Sequence, residues 1–120
     1  MFIINGEAWN VRLVPPDHPM LLMPNGNWAV GVCDDRSKMI LINNTLRGSY
    51  LKEVLGHEIT HAAMRSYDIN LAYDDEEVIA DLIANYGSEI IAVTDVMHKK
   101  LKRGYWKVSP LFLFPTYFII

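Results

Sequence analysis

The chain predicts an α+β fold, a small antiparallel sheet of about three or four strands packed against helices. Three observations carry that reading. Residues 1–46 hold short apolar runs of β type, cut by Asn5-Gly6, Pro15-Pro16 and Pro24-Asn25-Gly26. Residues 47–103 instead hold apolar residues at helical spacing. The 120 residues suffice for one domain with a core and are too few for two. Residues 1–120 are therefore read as a single domain: 1–46 mainly β, 47–103 mainly α and 104–120 an apolar tail.

In order along the chain, Phe2-Ile3-Ile4 is a short apolar run and Asn5-Gly6 a turn pair. Ala8 to Val14 follows as a second β-like segment. Pro15-Pro16-Asp17-His18-Pro19 stops any regular element, because proline neither donates to a ladder nor continues a helix. Trp28 to Cys33, a polar turn at Asp34 to Ser37, and Lys38 to Asn43 read as an antiparallel hairpin. Met39 to Ile42 is nearly continuous apolar, as in a strand buried on both faces or covered by a helix. A helix is expected from an N-cap at Ser49 through Tyr67, with Leu51, Val54, Leu55, Ile59 and Ala62 toward the core. A second helix opens at Asp74-Asp75-Glu76-Glu77, acids at the positive end of its dipole. Val78, Ile79, Leu82, Ile83 and Tyr86 are its expected apolar face. Gly87-Ser88 is expected to interrupt it, and Glu89 to Lys102 to form a third helix ended by Gly104.

Composition narrows the function classes. Half the residues are hydrophobic and 21% charged, which disfavours disorder. A net charge of −3 argues against a general nucleic-acid binder. Cys33 is the only cysteine, so no intrachain disulfide forms, in keeping with a reducing, cytoplasmic setting. The N-terminus has no basic region followed by a long apolar run, hence no secretory signal is read there. The longest apolar run, residues 111–120, is broken by Pro115 and Thr116 and falls short of the ~20 residues a bilayer span needs. No membrane span is expected. The apolar tail is a surface through which copies of the chain could associate.

The chemistry gathers in His57-Glu58-Ile59-Thr60-His61, an H-E-x-x-H motif inside the first expected helix. Residues four apart on a helix share a face, so His57 and His61 can present two imidazoles to one metal ion. Glu58 follows the first ligand, where a carboxylate can reach a water rather than the metal and act as general base. A third ligand is expected, and Glu77 in the next helix is the candidate. Asp81, four residues on, can accept a hydrogen bond from a ligand histidine and set its tautomer. Glu76 is the alternative ligand, and Glu77 also falls at N3 of a helix capped by Asp74. Tyr67, Tyr73, Tyr86 and His98 could each stabilise an oxyanion, with packing or surface roles as the plainer reading. His18 reads as a loop residue and Cys33 as a structural thiol.

H-E-x-x-H followed by a helix carrying E-x-x-x-D is similar to the gluzincin pattern of thermolysin-like enzymes. The compact setting, from the Trp28–Asn43 hairpin to the Glu76–Ala84 segment, resembles the small ImmA/IrrE-type metallopeptidases of phages and mobile elements. The resemblance implies a zincin-like fold and one Zn2+ ion held by His57, His61 and Glu77. It also implies Glu58 as base, and hydrolysis of peptide bonds in a peptide or protein substrate; better-known members cut regulatory proteins such as phage repressors. No helix-turn-helix or sensor segment accompanies the motif. The alternative function is a zinc-stabilised binding or inhibitor protein that kept the site without useful catalysis. A deformylase-like hydrolase is a further option and requires Cys33 beside both histidines.

Overall fold

The structure is a computed structural model and describes residues 1–103. The tail expected at 104–120 lies outside the described residues. The chain divides into two compact units, Met1–Gly87 and Ser88–Ile120.

The first unit is built on a four-stranded sheet: β1 (Phe2–Ile4), β2 (Glu7–Val14), β3 (Gly31–Asp34) and β4 (Met39–Asn43), in the order β1-β2-β4-β3. β1 and β2 form a tight hairpin in which Phe2 faces Trp9. Its turn needs positive φ at both central residues, and Asn5 and Gly6 supply 48° and 77°. β3 and β4 form the second hairpin, with Cys33 opposite Ile40. Ser37 donates to Asp34 across its turn at 2.6 Å.

The sheet is mixed rather than antiparallel. β2 and β4 run parallel, with Val11 beside Ile40 and Val14 beside Asn43. The proline-rich stretch after Val14 does not turn the chain straight back. It leads into a 3-10 turn at Pro19–Leu21, and the chain then enters β3 on the far side of β4. Side chains alternate with period two in both pairings, so the apolar pattern alone does not set strand direction.

The helix α1 (Gly48–Ser66) lies against the sheet. Its N-cap position is Arg47, in extended backbone and without a side-chain cap bond, not Ser49; Tyr67 is its C-cap. Ile40 and Ile42 of β4, with Trp9, Leu46, Val54 and Ala62, form the core between sheet and helix. Leu51 and Ile59 pack on it half-buried. Leu41 points to the other face and joins Val14 and Leu21. The continuous apolar run of β4 is thus explained by burial on both faces. Trp9, fully buried, donates its indole N–H to Ser66 Oγ at 2.8 Å, and the Asn5 amide donates to the Ser66 carbonyl at 2.8 Å. These two bonds pin the first hairpin to the end of α1.

One helix, α2 (Tyr73–Lys102), replaces the two expected around Gly87-Ser88. A single glycine costs about 1 kcal/mol in a helix interior, which neighbouring turns absorb once the helix is nucleated. No proline lies in this stretch to remove a donor. The residues α2 buries are Glu76 and Ala80. The expected apolar face of Val78, Ile79, Leu82, Ile83 and Tyr86 is exposed instead. No helix among the described residues is long and apolar enough to cross a membrane.

Candidate metal centre

Helix geometry stacks His57 and His61 one turn apart on α1, with ring centroids 4.8 Å apart. Their Nε2 atoms converge to 3.1 Å. Glu77 comes to the same point from α2: its Oε1 lies 2.8 Å from His61 Nε2 and its Oε2 3.2 Å from His57 Nε2. His57, His61 and Glu77 therefore form a group that could hold a metal ion, all their ligand atoms lying within 4.8 Å of one another. The donor set fits zinc. Ligands about 2.0–2.1 Å from a tetrahedral ion stand roughly 3.3 Å from each other, close to the spacing found between the nitrogens. Cys33 is not part of this group.

The outer ring nitrogens are engaged as well. His57 Nδ1 lies 2.8 Å from Asp81 Oδ1, which directs an Nδ1–H toward the carboxylate and leaves the Nε2 lone pair free for a ligand role. His61 Nδ1 lies 3.5 Å from Glu76 Oε2. Glu76 is buried, and its carboxylate receives both guanidinium nitrogens of Arg65 at 2.6 and 2.8 Å. That fork holds Glu76 away from the convergence point occupied by Glu77. The sequence named Glu76 only as a rival ligand and did not single out Arg65. Arg65 lies eight residues beyond His57 on α1, two turns along the same side, a signal that becomes meaningful only once the partner helix is in place.

Glu58 is buried beside the histidines. Burial raises its carboxyl pKa; the neighbouring His61 and His57 oppose that shift and the Glu77 charge adds to it. The site opens into a cleft of about 680 Å³. Met20, Leu22, Met23 and Trp28 line its apolar side, and His57, Glu58, His61 and Glu77 its polar floor. Of the four oxyanion candidates, Tyr73 lines the cleft, whereas Tyr67, Tyr86 and His98 do not; Tyr50, not among those candidates, lines it too. The charge of Glu77 is the first cause raising the Tyr73 phenol pKa. Cys33 also lines the cleft, and burial, reinforced by the Glu58 charge, pushes its thiol up to about 12.

β3 is an edge strand and contributes Gly31, Val32 and Cys33 to the cleft wall. β4 lies between β2 and β3 with both sides paired and offers no edge. At Gly31 sheet and helix approach closely: a Cβ there would stand 2.9 Å from Val54 Cγ1 and 3.2 Å from Glu58 Cγ. Comparison of the chain with protein-family models, curated proteins and solved structures finds no match.

Proposed function

We propose that the chain is a zinc-dependent metallopeptidase, a small gluzincin-like enzyme of the ImmA/IrrE type with a zincin-like fold. The observation that carries the reading is the convergence of His57, His61 and Glu77 beside a buried Glu58 at the floor of an open cleft. His57, His61 and Glu77 are the proposed ligands. Bound there, zinc would acidify a water and polarise a carbonyl as a Lewis acid. Glu58 takes the proton of the attacking water and passes it to the leaving amine. Burial raises its carboxyl pKa, which makes Glu58 a stronger base than an exposed glutamate. Asp81 holds the His57 tautomer through Nδ1. An extended peptide would add to the edge of β3 that is unpaired among the described residues, along the cleft wall.

Glu58→Gln keeps size and removes the base. The expected result is unchanged zinc content with peptide cleavage lowered about 10²–10⁴-fold. Equal cleavage by both proteins would overturn the assignment. A wild-type protein that binds zinc stoichiometrically yet cleaves nothing across a diverse peptide library would favour the binding-protein alternative.

A further inference from the structure

Independent of the proposed chemistry, the long helix carries a second pattern. Ile79, Ile83, Tyr86, Ile90, Val93 and Met97 follow one another at steps of four, three, four, three and four residues. That is a heptad seam, the repeat that keeps one helix facing another, sustained over nearly three heptads of α2. All six side chains are 36–57% exposed. The seam lies beside, not on, the face that α2 buries through Glu76 and Ala80. From Ser88 to Arg103 every described residue is exposed, six large apolar ones among them. Helices draw most of their stability from an apolar face packed on something.

We propose that a second copy of this chain packs on the seam, its α2 antiparallel to the first. Charge decides both partner and direction. Asp74 and Asp75 are exposed at the N-terminal end of α2; Lys99, Lys100, Lys102 and Arg103 stand at or just past its C-terminal end. An antiparallel pair sets the acidic end of each copy beside the basic end of the other and opposes the two helix dipoles; a parallel pair sets like beside like. The seam is also self-complementary about residue 88. Reversing one copy there brings Ile79 opposite Met97, Ile83 opposite Val93 and Tyr86 opposite Ile90, so all six seam side chains find an apolar partner at once. Glu77 and Asp81 lie on another side of α2 from the seam.

Sedimentation equilibrium of the full chain tests the idea. The expected result is a species of twice the chain mass, returning to monomer mass in an Ile83→Glu, Ile90→Glu variant with helical circular dichroism and zinc binding retained. Both side chains are exposed in the single chain, so the variant removes the contact without opening the core. Direction is read by oxidative cross-linking of Ile83→Cys and Val93→Cys chains, each in a Cys33→Ser background. The antiparallel pair gives a disulfide only when the two are mixed. Homodisulfides of each chain alone would mean a parallel pair and overturn the proposal. So would a monomer at all concentrations, as when residues 104–120 or a different protein cover the seam, or a dimer unchanged by the double glutamate variant.

Discussion

Asp81 and Cys33 mark the two ends of what a single side chain does at this site. Asp81 is largely exposed, so its contribution to folding is small, yet it meets His57 Nδ1 at 2.8 Å. Asp81→Ala is expected to lower zinc affinity roughly 10–100-fold while leaving the unfolding midpoint of the metal-free protein in place. Titration against a chromophoric chelator measures the first and urea unfolding the second. Cys33 is the reverse case, a nucleophile silenced by its surroundings. With its thiol held up to about 12, it stays protonated at neutral pH and is expected to resist iodoacetamide at pH 8 while an unfolded control reacts. The sign for stability follows from proton binding. The folded thiol keeps its proton at pH values where the unfolded thiol, near its ordinary value of 9.0, loses it. This group's contribution is therefore full below about 9 and declines as pH rises from there toward 12. A pH series of urea midpoints checks the slope, which Cys33→Ser should flatten above 9.

Elements meet at two glycines, and these differ in what they tolerate. At Gly31 the edge strand presses on α1, and a methyl would enter the space of Val54 Cγ1 at 2.9 Å and Ile42 Cδ1 at 3.1 Å. Gly31→Ala is expected to cost about 1–3 kcal/mol by overpacking, and to disturb Glu58 from the strand side. At Gly56 the same methyl would rest 3.4 Å from Ala84 Cα, ordinary contact between α1 and α2. Gly56→Ala is therefore expected to be tolerated, and to stabilise by up to about 1 kcal/mol through helix propensity. Denaturant unfolding of the pair decides: equal losses at both positions would contradict the geometry. Gly56 permits close approach without demanding it.

For the molecule as a whole, the core and the metal centre are separate assets. Trp9, Leu21, Ile40 and Ile42 are fully buried in or beside the sheet, and the hydrogen bonds of Trp9 and Asn5 to Ser66 need no ion. Chelation is therefore expected to leave a cooperative unfolding transition. Its unfolding free energy should fall by the linkage term alone, about 2.7 kcal/mol when free metal had stood 100-fold above its dissociation constant, and the midpoint should drop with it. Differential scanning calorimetry with and without chelator tests this; loss of the transition would make the site structural.

What the sequence determined by itself is whatever local periodicity encodes. The α+β class, the Asn5-Gly6 hairpin, the β3–β4 hairpin and the helix bearing His57, Glu58 and His61 all rest on contacts or φ values set within a few residues. The candidate third ligand was legible for the same reason, as Glu77 and Asp81 share a face at i and i+4. Tertiary structure alone decided the rest. The parallel pairing of β2 with β4 follows from the path of residues 15–30, because the alternation of a strand is identical in either direction. Glu77 rather than Glu76 joins the group that could hold a metal ion, while Arg65, distant in sequence, takes Glu76 in a two-pronged ion pair. The apolar stripe of α2 read as core because hydrophobicity says that a face needs covering without naming what covers it. In the described fold, Glu76 and Ala80 are the residues of that helix turned inward, and the stripe is left exposed.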